Sequence, residues 1–133
     1  MLELVAVLPL LIIIGIGVMD YGRIMATAVA VANAARAGAE WGIQQPSHYT
    51  DHAKIRSFAQ LDGNEAGAMV LDSRTYFMCG ATVVSNTTIC GGGYGAPRVY
   101  VEVRASKAVP LVMRFPGIPP SVTVSRTATF RYQ

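Results

Sequence analysis

The sequence predicts an α+β fold, in which a long N-terminal hydrophobic α-helix is followed by a small globular head. Two observations carry this prediction. Residues 4–19 contain no charged side chain, and the valines at 99, 101 and 103 alternate with polar residues as in a half-buried strand. We therefore divide the chain into a helix over residues 1–45 and a head over residues 46–133, whose antiparallel sheet should pack on the distal half of the helix.

The N-terminal helix is predicted to run from Leu2 to Gln44 and to end before Pro46. Its uncharged run spans about 24 Å, which barely crosses a bilayer unless the first residues are included. The whole helix would be about 65 Å long, so half of it must pack on something other than lipid. Pro9, with Gly15 nearby, leaves a carbonyl unpaired and is expected to kink or loosen the helix.

A stripe of small residues recurs at every fourth position, at Ala30, Ala34, Gly38 and Gly42. Such a stripe forms a groove in which another helix can approach closely. An ordinary core-facing stripe within one chain has the same pattern, so both interpretations stay open.

Charged residues in this helix are few, and each has a nearby partner. Glu3 lies in an apolar helix tip, where a carboxylate needs to be neutral or paired. The amine of Met1 in a neighbouring, staggered chain could reach it and set the register between chains. The alternative is a position at a bilayer interface. Two further pairs, Asp20 with Arg23 and Arg36 with Glu40, have intrahelical spacing but could instead bridge neighbouring chains.

The head is predicted to contain one short helix and four strands. The helix begins at Thr50 or Asp51, either of which is a suitable N-cap, and continues to Leu61. Strands are predicted over residues 75–79, 81–84, 98–106 and 122–131. Arg126 alone breaks the apolar face of the last strand, and four prolines mark the connection before it as a loop.

The two cysteines, Cys79 and Cys90, are predicted to form a disulfide. Metal binding is the weaker alternative, because neither a CxxC motif nor a second pair is present. The bridge would stabilise the head by about 3 kcal/mol and indicates an oxidising compartment. The nearby Asn86, Thr87 and Thr88 form an N-glycosylation sequon, and O-linked sugar on Ser85, Thr87 or Thr88 is an equal alternative.

Enzymatic and nucleic-acid functions find little support. His48 and His52 are four residues apart but lack a third metal ligand, and the glycine-rich residues 91–95 lack the lysine of a phosphate-binding loop. A net charge of +3 with 14% charged residues is too sparse for a nucleic-acid surface. We therefore predict no catalytic residues, no metal, no cofactor and no nucleic-acid partner.

The apolar segment is expected to be retained in the mature protein. A secretory signal peptide has a cationic region before its apolar stretch and a small-residue cleavage site after it. The sequence shows neither feature around residues 4–19.

Several short motifs occur in a fixed order along the chain. They are the acid Glu3 in the apolar tip, LPLL at 8–11, DYGR at 20–23, NAARAGA at 33–39 and TATFR at 127–131. In this order the chain resembles a TadE-like pilin of the tight-adherence (Tad/Flp) branch of type IV pili. One departure is the position of the acid, which is third here and at about the fifth mature residue in that family.

The resemblance implies a structural subunit of an extracellular pilus filament for adhesion or surface attachment. It implies a precursor that is cut by a prepilin peptidase, held in the inner (cytoplasmic) membrane, and then moved by the pilus assembly machinery into a helical filament of copies of itself. A minor subunit of such a filament, a membrane-anchored binding module that does not polymerise, and a secreted enzyme with an uncleaved anchor are the alternatives. The residues that we expect to act in assembly are Met1, Glu3, Pro9, Gly15, Asp20, Arg23, Ala30, Ala34, Arg36, Gly38 and Gly42.

Overall fold

A computed structural model describes residues 2–91, 95–113 and 117–132, with side chains from Val7 onward. It confirms the α+β class, with one long helix followed by an antiparallel sheet whose strand order is β2-β1-β3-β4. The elements are α1 (Leu2–Gly42), α2 (His52–Asp62), a 3-10 turn (Asn64–Ala66), β1 (Val70–Cys79), β2 (Thr82–Val84), β3 (Arg98–Pro110) and β4 (Ser121–Arg131).

Helix α1 runs continuously through Pro9 and ends at Gly42, close to the predicted Gln44. Proline lacks an N–H group, so it removes one backbone hydrogen bond without ending the helix here. Beyond Gly42, the amides of Ile43 and Gln44 donate to the carbonyls of Glu40 and Trp41, both at 3.3 Å. These shorter-range bonds close the last turn before the chain reverses toward α2.

Helix α2 begins as predicted, with Asp51 as its N-cap. The Asp51 carboxylate accepts a hydrogen bond from the Lys54 amide at 3.1 Å. This bond, together with the nearby Lys54 ammonium, lowers the pKa of Asp51. The helix buries Ile55 and Ala59, whereas Phe58 stays partly exposed and stacks on Trp41 with ring centroids 5.0 Å apart.

Two strands are longer than the sequence pattern indicated. Strand β1 begins at Val70 and not at Thr75, because its polar residues 72–74 pair with β3. Strand β3 continues past Ser106 to Pro110, and its extra residues pair with residues 121–124 of β4. The predicted alternation in β3 is confirmed, since Val101 and Val103 are fully buried.

The sheet packs on the distal half of α1, as predicted. Near the end of α1 the core contains Ala39 together with Ile55 and Ala59 of α2 and two valines of β3. Farther back along α1, Val31, Ala34 and Ala35 pack on Ala105, and Ala28 packs on Val109 and Val124. The distal half of α1 therefore belongs to the same packed unit as residues 46–133.

A disulfide joins Cys79, at the end of β1, to Cys90, with their Cα atoms 5.5 Å apart. It encloses β2 and the turn that carries the sequon. Ser85, Asn86 and Thr87 are exposed on this turn, whereas Thr88 is half-buried. Glycosylation there stays a prediction.

Candidate assembly surface

The N-terminal half of α1 has an apolar surface that the rest of the described chain leaves uncovered. We call residues 7–19 of α1 the protruding segment. The apolar core clusters among the described residues include no α1 residue before Ile24. The most exposed large side chains of the protruding segment lie 47–66% open to solvent, and they are Val7, Leu8, Leu10, Leu11, Ile12, Ile13, Ile14, Val18 and Met19.

This surface requires an apolar partner. Over Val7–Gly42, α1 is long and apolar enough to cross a membrane, with a mean hydropathy of 1.8 in its most apolar window. A helix that is apolar all round is normally buried in a protein core or in a bilayer. Since the described part of the chain does not bury the protruding segment, this surface is available to lipid or to another chain.

The predicted stripe of small residues lies inside the head. A Cβ atom added to Gly38 would lie 2.9 Å from the Cβ of Ala59, and one added to Gly42 would lie 2.9 Å from Cγ1 of Val101. Ala34 is fully buried, and Ala30 is half-buried. The helix that approaches this groove is α2 of the same chain. Ala34, Gly38 and Gly42 therefore face the core of their own chain, as the core-facing interpretation predicts. A helix of a neighbouring chain has no access to them.

Gly15 and Gly17 differ from these buried glycines. A Cβ atom at either position would have no neighbouring atom within 4 Å. Each leaves space in which another helix can approach closely, and because residues two apart lie on nearly opposite sides of a helix, the two spaces belong to different faces. We call the space beside Gly15 the notch. Pro9 lies on the same segment. Of the two residues expected at the tip, Met1 lies outside the described residues, and the side chain of Glu3 does too.

Asp20 lies where the protruding segment ends, and it binds a distant part of the chain. Its carboxylate accepts hydrogen bonds from the amides of Val112, at 3.0 and 3.1 Å to its two oxygens, and of Met113, at 3.1 Å. The residue is only 7% exposed. Arg23 lies 3.7 Å from Asp20 and donates to the carbonyl of Pro110 at 3.4 Å. We call this set of contacts the Asp20 clamp.

Asp20 and Arg23, which the sequence predicts as an ion pair, make further contacts with a distant part of the chain. The intrahelical contact between Asp20 and Arg23 is present, but the shorter bonds join α1 to the connection between β3 and β4. Backbone amides can be recognised by a carboxylate with no side-chain motif, so the sequence contains no direct signal for this partner. The one hint is an acid placed immediately after an uncharged run, where it needs several donors.

The second predicted pair, Arg36 with Glu40, does not form within the described part of this chain. Arg36 and Glu40 are both exposed and form no ion pair with each other in the described part of the chain. Arg36 instead lines a shallow cavity beside β4 with Arg126, which the sequence marked as the exception on its strand. Both arginines are exposed on the outside of the head.

The two histidines have separate environments. His48 stacks on Trp41 with ring centroids 3.9 Å apart, and His52 lies 3.2 Å from the hydroxyl of Ser73. Among the described residues no group of three or more potential ligands is placed to hold a metal ion.

Residues 1–40 match the family model of the TadE-like proteins. The match includes the protruding segment, Asp20, Arg23 and most of the distal half of α1, and it confirms the family resemblance of the N-terminal helix. No curated protein and no solved structure matches the chain.

Proposed function

We propose that this chain, whose first 40 residues match the TadE-like proteins, is a structural subunit of an extracellular Tad-like pilus filament. The observation that carries the proposal is the division of α1. The distal half of α1 packs against the head of the same chain. The side chains of the protruding segment are exposed and leave an apolar surface uncovered. A subunit that is first held in a membrane and then packed among its copies needs such a surface.

The protruding segment serves both stages. In the inner membrane its side chains lie in lipid, which removes apolar surface from water at about 25 cal/mol per Å². Lipid tails are as apolar as leucine, so the hydrophobic effect does not favour the filament over the bilayer. Close packing between helices has to do so. Gly15 and Gly17 each permit that close approach on their own side of the helix, because no atom of the described residues lies within 4 Å of a Cβ placed there.

The charged groups at the start of α1 would set the axial register between neighbouring subunits. In this proposal Glu3 of one chain pairs with the amine of Met1 in a neighbour, after a prepilin peptidase has cut the precursor. Pairing satisfies a carboxylate that is otherwise costly among apolar side chains. The head then faces solvent, where the filament acts in adhesion or surface attachment. Arg36 is exposed and free to contact a neighbouring subunit there.

The test compares two substitutions on the protruding segment, expressed in the native cells with the pilus machinery. Gly15→Leu keeps the segment apolar and fills the notch, whereas Ile13→Leu changes the shape of an exposed side chain about 160° around the helix from it. We expect both variants to insert in the membrane with the Cys79–Cys90 disulfide formed. Sheared filaments, counted by electron microscopy, should be lost for Gly15→Leu and normal for Ile13→Leu.

The same preparation identifies the role of the wild-type chain. Filaments made mainly of this chain, with the first residue read by mass spectrometry, support a major subunit. Filaments that contain only traces of it would replace that proposal with a minor subunit. A wild-type chain that stays wholly in the membrane fraction would favour an anchored binding module, and normal filaments from Gly15→Leu would contradict the role of the notch.

A further inference from the structure

The connection between β3 and β4 presents an apolar tip. We call its described residues, 111–113 and 117–120, the β3–β4 tip. They are leucine, valine, methionine, glycine, isoleucine and two prolines, and the one charged residue between Leu111 and Pro120 is Arg114, which lies outside the described residues. Val112 is 53% exposed and Ile118 is 48% exposed. The base of the tip is closed by a hydrogen bond of 3.0 Å from the amide of Leu111 to the carbonyl of Pro120.

The Asp20 clamp fixes the height of the tip along α1. Its hydrogen bonds hold Val112 and Met113 beside Asp20. Asp20 directly follows Met19, which is the last residue of the uncharged run. The tip therefore lies beside the helix at the level where its apolar surface ends, so the two apolar surfaces are continuous.

The residues around the tip suit a membrane surface. Tyr21 is 63% exposed next to the clamp, and the guanidinium of Arg23 is partly open to solvent. Tyrosine is enriched where helices leave the hydrocarbon region, and arginine places its charge in the headgroups. The charge of Asp20 is turned away from lipid, because backbone amides and Arg23 surround its carboxylate.

We propose that the β3–β4 tip is a second membrane contact of the unassembled subunit, in which Val112 and Ile118 enter the interfacial layer of the bilayer beside α1. The inference rests on the proposed function, in which α1 is embedded in the membrane before assembly. Lipid is the occupant that the geometry favours, because the tip continues the surface of the segment that would be embedded. It would hold the head against the bilayer in a fixed orientation.

The experiment uses the full chain in phosphatidylcholine vesicles that contain brominated lipids, which quench tryptophan at a known depth. Three variants each add one tryptophan at an exposed position: Ile118→Trp in the tip, Leu11→Trp in the protruding segment and Val83→Trp on β2 as a matched control. All keep the native Trp41, whose signal is measured in the parent chain and subtracted. The Cys79–Cys90 disulfide and the circular dichroism spectrum verify the fold.

We expect Ile118→Trp to be quenched more by bromine near the headgroups than by bromine deep in the chains, Leu11→Trp to show the reverse, and Val83→Trp to show neither. Quenching of Leu11→Trp without quenching of Ile118→Trp would overturn the tip contact and leave the embedded helix intact. Absence of quenching in both would overturn the membrane stage of the proposed function as well. If Ile118→Trp is unquenched in vesicles and its emission shifts to the blue only in filaments, the tip contacts a neighbouring subunit and the membrane contact is wrong.

Discussion

Asp20 illustrates how a single carboxylate joins distant parts of this chain. It lies in α1, and its hydrogen-bond partners, Val112 and Met113, are more than 90 residues away. Among the described residues no buried side-chain polar atom lacks a hydrogen-bond partner, so Asp20 is satisfied where the apolar helix meets the head. A buried carboxylate with several donors is stable in its charged form, whereas its replacement leaves those donors unpaired.

Replacement of Asp20 should release the β3–β4 tip from α1. Alanine removes both acceptor oxygens, and asparagine keeps only one. We expect amide hydrogen exchange at Val112 and Met113 to become fast in Asp20→Ala and intermediate in Asp20→Asn. The amide of Leu111, which bonds to Pro120, serves as the internal reference and should stay protected.

The matched control is Glu65→Ala, which removes an exposed acid that has no ion pair in the described part of the chain. It should leave the exchange of Val112 and Met113 unchanged. Equal protection of these two amides in Asp20→Ala and in the wild type would show that the clamp does not hold the tip.

Helix α1 shows what a sequence pattern predicts and what it does not. Its extent follows from the uncharged, small-residue composition and from the stop before Pro46, as the alternation in β3 follows from the two-residue period of a strand. The small residues of the stripe require a close partner, but the pattern is the same whether that partner is α2 or a helix of another chain. Here α2 occupies the groove at Gly38, and Val101 of β3 together with Ile55 of α2 occupies it at Gly42.

The first residues of strand β1 could not be predicted from the sequence of that strand alone. Residues 72–74 are Asp, Ser and Arg, which are weak strand formers, so the pattern starts the strand at Thr75. In the structure they pair with residues 102–104 of β3, and Arg74 forms an ion pair of 2.8 Å with Glu102 across the strands. Cross-strand partners stabilise such a segment, and the sequence of one strand does not contain them.

The contact between α1 and α2 can be tested with a pair of glycine substitutions. A methyl group at Gly38 would meet the Cβ of Ala59 at 2.9 Å and the carbonyl oxygen of Ile55 at 3.1 Å, whereas one at Gly22 would meet nothing within 4 Å. Both substitutions gain the same helix propensity, of about 1 kcal/mol. We therefore expect Gly22→Ala to be more stable than Gly38→Ala by about 1–3 kcal/mol, which is the usual cost of overpacking.

Urea denaturation of the full chain in one detergent measures this difference. The shared helix propensity cancels between the two variants, so the remaining difference reports the packing against α2. Equal stability of Gly22→Ala and Gly38→Ala would mean that α2 moves away without cost.

The molecule as a whole combines a self-contained head with a segment that needs an external partner. The apolar core clusters of the described residues begin at Ile24 and Ala28 of α1 and include both faces of the α1–α2 contact. The head thus already contains the part of the long helix that it requires. Stability of the head and assembly of the subunit should be separable properties.

Removal of residues 1–19 should therefore leave a folded head. We expect residues 20–133, exported to an oxidising compartment, to be monomeric in gel filtration with the Cys79–Cys90 disulfide formed. The melting temperature in the same detergent should lie within about 4 °C of that of the full chain, which corresponds to about 1 kcal/mol for a domain of this size. A molten or much less stable product would show that the protruding segment contributes to the head.

The Asp20 clamp also fixes the length of helix that extends beyond the head. Because the head is tied to α1 at this point, it cannot slide along the helix, and the uncharged stretch of residues 4–19 has a set length of about 24 Å. A typical hydrocarbon core is about 30 Å thick, so the helix and the bilayer are slightly mismatched. A subunit of this kind would thin the membrane around it, and that strain would be relieved when the subunit leaves the lipid.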